Sequence, residues 1–273
     1  MFIIFFSLVM LTSCGATGKE RNYTGSTPAG PVTRSFLGIP LSDSIDFIRW
    51  QLFIHDDPYH LHAHFGIGKP NTNGFMNDGV KLELSGTIKH EKNFYSLQNG
   101  DKALKLIELN EDLLHIVDAD NSMLAGNGGW SYTLNNMMPT VSDKVTLPAQ
   151  SVKLKDSMAF EGRTPCKIPG LFPPDRVCYK VKWYVVLYSD VSKNEPAGYQ
   201  IKGTAWRKEG GITGSWKIVK GKDNRTVYQL KVDKENLVLY LLKTDENVLV
   251  FTDDTGKLLV GDEDFSYTLS RVF

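Results

Sequence analysis

Apolar and polar residues alternate along much of this chain with a period of two. In the run Ile48–Ile54, the apolar side chains at even positions share one face, while Arg49 and Gln51 point the other way. Similar runs recur at intervals of about ten residues, with Gly, Asn and Asp between them. No stretch shows helical periodicity. The pattern predicts a meander of short antiparallel strands, each with one buried face.

One stretch of the chain occurs twice. Asp118–Leu134 and Asp253–Leu269 share an aspartate, a Leu-x-Gly motif, an aromatic residue and a closing Ser-Tyr-Thr-Leu, all at one constant offset. Each copy is typical of a closing β-hairpin, in which a turn rich in Asp, Asn and Gly leads into a strand. The chain therefore consists of two copies of one unit.

Further matches set the boundaries of the two copies. Phe36-x-Gly38 is taken to open the first copy and Phe160-x-Gly162 the second. The repeat predicts copies at 35–137 and 158–273, joined by a linker at 138–157 that carries prolines and small polar residues. A copy of about a hundred residues with seven or eight strands predicts a small up-and-down barrel, because closure removes the exposed sheet edges. The predicted fold class is all-β, with two tandem antiparallel meander barrels.

The N-terminus is expected to be a lipoprotein signal, residues 1–13. Its apolar run is too short to cross a bilayer, which takes about 20 residues. The sequence Leu11-Thr-Ser-Cys14 resembles a bacterial lipobox, which implies cleavage before Cys14 and acylation of its thiol, with palmitate as an expected acyl group. The alternative is an ordinary signal peptide with an incidental cysteine. Residues 14–34 are rich in Gly, Ser, Thr and Pro and are predicted to be a lipidated tether without structure of its own.

Composition limits the classes of function. Lys plus Arg and Asp plus Glu both number 31, so the net charge is zero and nucleic acid is not an expected partner. The sequence also contains no nucleophile elbow, no phosphate-binding glycine loop before a helix and no helical zinc motif. We therefore expect no catalytic activity.

The second copy resembles the copper resistance lipoprotein NlpE family, and the first copy resembles it more faintly. The resemblance lies in Phe160–Cys166, in Gly214-Ser-Trp216 and in the closing segment Leu259–Leu269. It implies lipocalin-like barrels, an outer-membrane lipid anchor, a role in envelope stress sensing with a protein partner of the envelope, and copper handling through a Cys-x-x-Cys pair.

That cysteine pair is not reproduced in this chain. Eleven residues separate Cys166 from Cys178, and the first copy has no equivalent cysteine. With Cys14 assigned to lipid, these two form an even pair in an exported protein, which predicts a disulfide. Ligation of a metal by the two thiolates is the alternative, and it would need further ligands.

All six histidines lie in the first copy. His60, His62 and His64 are predicted to project from one face of a strand at a spacing of about 7 Å. Two of them could bind Cu²⁺ or Zn²⁺, with a carboxylate from Asp56 or Asp57. The alternative, which we favour, is that the three are polar side chains on a solvent-exposed strand face.

These observations predict a non-catalytic, lipid-anchored protein of the cell envelope of a diderm bacterium, attached to the outer membrane. The alternative from another class is a binding protein that holds a small apolar ligand in a barrel lumen. The position of Trp50 and Trp183 separates the two, because these side chains would either fill the lumens or line open cavities.

Overall fold

The computed structural model describes residues 20–55, 57–140, 144–173, 175–206, 210–232 and 237–273, and these ranges form two closed antiparallel barrels of eight strands each. The first barrel contains β1 (Arg21–Pro28), β2 (Phe47–Ile54), β3 (Tyr59–Gly66), β4 (Val80–Glu91), β5 (Phe94–Asn99), β6 (Lys102–Asn110), β7 (Leu113–Ile116) and β8 (Thr133–Asn136). The second contains β9 (Ser157–Thr164), β10 (Val181–Asp190), β11 (Glu195–Gly203), β12 (Ile212–Lys220), β13 (Thr226–Val232), β14 (Leu237–Lys243), β15 (Val248–Thr252) and β16 (Thr268–Arg271). The short helix α1 spans Pro31–Leu37, and two 3-10 helices span Met76–Asp78 and Lys222–Asn224. The predicted all-β fold of two tandem barrels is confirmed.

Both barrels are meanders in which each strand pairs with the next along the chain. The first strand of each then closes the barrel on the last, β1 on β8 and β9 on β16. The alternating run of β2 faces the lumen as predicted, with Ile48, Trp50, Leu52 and Ile54 all buried. Period-two patterning therefore placed the core correctly.

The predicted tether at residues 14–34 is wrong from Arg21 onward. Residues 21–28 form β1, which pairs with β2 along its whole length, so the first barrel begins at residue 21 and not at 35. Its Thr24 and Ser26 are buried on the face that points away from the lumen. This face lies beside the second barrel, since Asn135 donates hydrogen bonds to the carbonyls of both Thr24 and Asp262. Its small polar residues gave the segment the composition of a tether.

The correct counterpart of Phe160–Pro165 is Tyr23–Pro28, not the segment that begins at Phe36. Gly25 and Gly162 show the match, because each lies against the last strand of its own barrel. A Cβ at Gly25 would lie 2.9 Å from the carbonyl oxygen of Thr133, and a Cβ at Gly162 would lie 2.7 Å from that of Thr268. Only glycine allows this approach.

Helix α1 was not predicted. It packs Phe36 and Leu37 into the first core and ends at Gly38, whose φ of 71° supplies the left-handed cap. The buried Arg34 guanidinium fixes the following turn by donating hydrogen bonds to the carbonyl oxygens of Pro40 (2.8 Å) and Asp43 (2.9 Å). Within the described ranges, no helix has both the length and the apolar character needed to cross a bilayer.

The two barrels are related by an approximate two-fold axis. Ser131 and Ser266 occupy equivalent positions 135 residues apart, and their hydroxyl oxygens lie 2.6 Å from each other, which requires them to sit on the axis. Around it, the Gly126 amide donates to Ser270 Oγ (2.8 Å), and the equivalent Gly261 amide donates to Asn135 Oδ1 (2.9 Å). The interface is therefore isologous, as in a symmetric dimer.

A hydrophobic cluster continues this interface. It takes in residues from β6, β7 and the following turn of the first barrel, the linker, and β13 to β15 and the turn after β15 in the second. The buried members are Ile107, Leu109, Leu113, Val117, Met123, Val145, Leu147, Val227, Leu242, Val248, Val250 and Leu258. The Arg225 guanidinium also donates hydrogen bonds to the linker carbonyls of Val145 and Leu147. The two copies thus share a core and form one packed unit.

Candidate functional site

Each barrel lumen is filled by the chain's own side chains. Trp50 is 1% exposed and donates its indole N–H to Thr27 Oγ1 at 2.8 Å. Trp183 is 4% exposed and donates to Thr164 Oγ1 at 2.9 Å, so the same arrangement fills the second lumen. The surrounding tyrosines, leucines and other core residues are also buried. The two tryptophans therefore fill the lumens instead of lining open cavities.

Cys166 and Cys178 are joined by a disulfide, the pairing that the sequence predicted, with their Cα atoms 6.0 Å apart. The loop that it closes places Ile168 and Leu171 in the core of the second barrel. In this state the two thiols are not available as metal ligands. Cys14, the predicted lipidation site, lies outside the described residues.

The three histidines predicted as metal ligands project from the outer face of β3, but they do not converge. His60 Nδ1 forms a hydrogen bond with Ser85 Oγ (2.8 Å), and His64 donates from Nε2 to the carbonyl of Asp78 (2.5 Å). His62 instead meets the edge of the Phe53 ring. Alternate residues on one strand are too far apart to share an ion unless neighbouring strands supply ligands. Here each imidazole contacts a different neighbouring segment.

Of the two carboxylates proposed to complete that metal site, the one that the structure describes is engaged elsewhere. Asp57 accepts a hydrogen bond from the backbone amide of Ile88 at 3.2 Å, and Asp56 lies outside the described residues. In the part of the chain that the structure describes, no three His, Cys, Asp or Glu side chains are grouped to hold a metal. The described residues therefore give no support to a Cu²⁺ or Zn²⁺ site at His60, His62 and His64, which lie on the outer strand face as in the favoured interpretation.

Two of these histidines line a groove of about 290 Å³ instead. It runs across the outer face of β1 to β4 and is bounded on one side by the second barrel. Its lining residues are Thr24, Arg49, Trp50, Gln51, His62, Ala63, His64, Lys81, Leu82, Glu83 and Glu263. We call this the outer groove.

Contacts from the second barrel fix one wall of the outer groove. Arg49 Nη2 lies 2.6 Å from Asp264 Oδ1, and the other oxygen of that carboxylate accepts a hydrogen bond from Asn73 at 2.5 Å. Arg49 also donates to the carbonyl of Asn73 at 2.8 Å. This pair is only partly exposed, so solvent screens it less than a surface ion pair. The second barrel therefore bounds the groove on this side.

The rest of the groove presents polar side chains that the protein does not use. Within the described chain, the side chains of Gln51, His62, Lys81, Glu83 and Glu263 make no hydrogen bond or ion pair. They supply donors and acceptors and charges of both signs along one trough. Such a surface can bind a polar ligand or a polypeptide whose charges match its own.

Sequence reasoning missed a buried polar cluster at one end of the first lumen. Arg21 donates to the hydroxyl of Tyr95 (2.8 Å), which donates to Glu108 Oε2 (3.0 Å), while the Tyr23 hydroxyl donates to the carbonyl of Glu111 (2.8 Å). Burial raises the pKa of both Tyr23 and Tyr95, so both phenols are neutral donors at pH 7. Every group in the cluster has a partner, which indicates a structural plug. Glu108 occupies the same strand face as Leu104 and Leu106, two residues further along. A carboxylate in this apolar series was the sequence signal for the cluster.

The fold and the groove define the class of this chain as a tandem pair of eight-stranded β-barrels with filled lumens and a polar groove on the outer surface. Comparisons with known protein families, with characterised proteins and with solved structures find no match to it.

Proposed function

We propose that this chain is a non-catalytic, lipid-anchored protein of the cell envelope that binds its partners on its outer surface. The observation that carries the proposal is the contrast between inside and outside. Trp50 and Trp183 fill the two lumens in the same way, while several polar side chains of the outer groove make no hydrogen bond within the described chain. A packed interior supports a rigid scaffold, and an unengaged polar surface supports binding.

The alternative of a small apolar ligand in a lumen has less support, because the described side chains that face each lumen are buried against one another. Lumen carriers need an interior cavity, commonly of about 300 Å³ or more. The grooves found here are open and lie on the surface, as at the outer groove.

The same contrast yields a test with a fluorescent apolar probe. N-phenyl-1-naphthylamine is expected to show no saturable rise in fluorescence with the native protein at micromolar concentrations, because neither lumen can admit it. A retinol-carrying lipocalin serves as the positive control for the assay. Saturable binding that is abolished by filling a lumen, as with Ala63→Leu next to Trp50, would overturn the proposal in favour of the ligand carrier.

The anchor half of the proposal rests on the lipobox-like Leu11-Thr-Ser-Cys14. Cys14→Ala is expected to release the folded protein from the membrane fraction, because one thiol carries the lipid that holds it there. The measurement is immunoblotting of membrane and soluble fractions. Ser13→Ala keeps a small residue beside the cysteine and is the matched control, which should stay with the membrane. A Cys14→Ala protein that still sediments with membranes would exclude the lipid anchor.

The resemblance to the NlpE family suggests envelope stress sensing as the setting for this binding, with another envelope protein as the partner. Copper handling has less support, since Cys166 and Cys178 are joined and His60, His62 and His64 do not converge. The proposal therefore assigns no metal cofactor.

A further inference from the structure

Strand β4 changes neighbours half-way along its length. From Val80 to Gly86 it pairs with β3, and from Thr87 to Glu91 it pairs with β5. Its first half therefore has a paired strand on one side only, and no described strand pairs with the other side. The equivalent strand β12 is paired differently, because only Ile212 to Gly214 lie outside its pairing with β13.

The register shows which backbone groups point to this open edge. The His55 amide bonds to the carbonyl of Pro58 at 3.3 Å, so even-numbered residues of β3 bond to β2, and odd-numbered ones bond to β4. The odd residues of β3 lie opposite the even residues of β4. The N–H and C=O groups of Lys81, Glu83 and Ser85 therefore point away from β3, and within the described chain no backbone hydrogen bond reaches them.

The side chains beside this edge alternate in character. Leu82 and Leu84 face the lumen, are only half-buried and pack against the core from its rim. Lys81 and Glu83 are exposed on the outer face, where they line the outer groove. Charged residues often protect an edge strand from pairing. Here the two charges have opposite signs, so they repel only strands whose charges do not match.

We propose that the open edge of β4, residues Val80–Gly86, binds an extended segment of a partner protein by strand addition. The added strand would bond to the backbone of Lys81, Glu83 and Ser85 and cover Leu82 and Leu84 with apolar side chains. An acidic residue would lie opposite Lys81 and a basic one opposite Glu83. This inference deepens the proposed binding role, but it concerns the folded barrels alone and does not depend on the lipid anchor.

The test uses the full chain in detergent and the capped heptapeptide Val-Thr-Val-Lys-Val-Glu-Val, which places Lys opposite Glu83 and Glu opposite Lys81 when antiparallel to β4. In the binding form, the amides of the internal valines are N-methylated, which leaves one edge able to pair and prevents peptide aggregation. In the control form, the amides of Thr, Lys and Glu are methylated instead. Isothermal titration is expected to give at least about tenfold weaker binding for the control, since it loses the hydrogen bonds to the edge.

Two variants at one position test the same edge on the protein. Glu83→Pro removes the outward N–H and is expected to weaken binding of the peptide about tenfold or more, while Glu83→Ala keeps the N–H and most of the affinity. Proline is tolerated on an edge strand, so the melting temperature of Glu83→Pro should stay close to that of wild type. On binding, hydrogen exchange should slow at the Glu83 amide and not at the Leu84 amide, which already bonds to β3.

Several outcomes would overturn the inference. These are equal affinity of the two peptides, no binding of either, or binding to a well-folded Glu83→Pro protein at wild-type affinity. If Glu83→Pro does not fold, the two peptides and hydrogen exchange on the wild-type protein still test whether a strand adds to this edge. Light scattering measures the oligomeric state and so tests whether a second copy of the chain occupies the edge. A wild-type dimer that Glu83→Pro converts to a monomer would assign the edge to a second copy and not to a partner protein.

Discussion

Replacing Trp50 with alanine is expected to lower the free energy of unfolding by about 3–5 kcal/mol. The side chain is 1% exposed at the centre of the first lumen, so its removal leaves a cavity that neighbouring strands in a closed barrel cannot collapse to fill. The change also leaves the buried hydroxyl of Thr27 without the indole donor. Urea denaturation followed by circular dichroism measures the effect, and added indole should restore part of it by occupying the cavity.

Two matched variants separate packing from hydrogen bonding. Thr27→Val keeps the volume but leaves the buried indole N–H unpaired, and it is expected to cost about 1–3 kcal/mol. Tyr184→Ala removes an aromatic ring from the outer face of β10 and should cost much less, since the ring is partly exposed. A loss below about 1 kcal/mol in Trp50→Ala would mean that the lumen is not packed around this residue.

Acidification from pH 6.5 to pH 4 is expected to remove about 3 kcal/mol of stability through His115 alone. The imidazole is fully buried on β7, bonded to Thr133 Oγ1 at 2.7 Å and to the carbonyl of Leu124 at 3.0 Å. Burial lowers its pKa to about 4. Between that value and the ordinary pKa of 6.5, the unfolded chain binds a proton that the folded chain does not, so stability falls as pH falls through this window. Above about pH 7.5 the unfolded chain no longer binds this proton, and the residue contributes no pH dependence.

The measurement is urea denaturation at several pH values for wild type and for His115→Asn, which keeps a polar group near Thr133 but cannot titrate. The variant should lose the part of the acid sensitivity that belongs to this residue. Asp245, whose pKa burial raises, acts in the opposite direction, and comparison with the variant removes its contribution. Identical pH profiles for the two proteins would show that His115 is protonated in the folded state at mildly acid pH.

Much of the fold was predictable because alternation and repetition are local signals. The run Ile48–Ile54 and the doubled Ser-Tyr-Thr-Leu were enough to predict two meander barrels. Strand β1 was missed because its outer face packs against the other barrel and carries small polar residues there. The sequence around helix α1 contained its signals, a proline at its first position and Gly38 at its cap, but seven residues are too few for a visible period.

The candidate site was harder to predict, because it depends on which strands become neighbours. The outer-face position of His62 follows from alternation alone. Its place beside Lys81 and Glu83 follows from the β3–β4 register. The wall of the groove at Arg49 depends on a contact with Asp264, which lies 215 positions away in the sequence. The open edge of β4 depends on where β5 begins to pair, which a period of two does not specify. The carboxyl group of Glu108 interrupts an apolar face and could have been noticed.

The start of β1 at Arg21 sets how the molecule would stand on a membrane. If Cys14 carries a lipid, as proposed, the seven peptide links to Arg21 would reach at most about 25 Å, and the end of the barrel where β1 begins would lie near the bilayer. About 17 Å from Arg21 along β1, four residues lie side by side on four neighbouring strands: Ser26, Arg49, His64 and Lys81. The basic side of the outer groove would then face the aqueous compartment, where an approaching protein meets it before it meets the lipid surface.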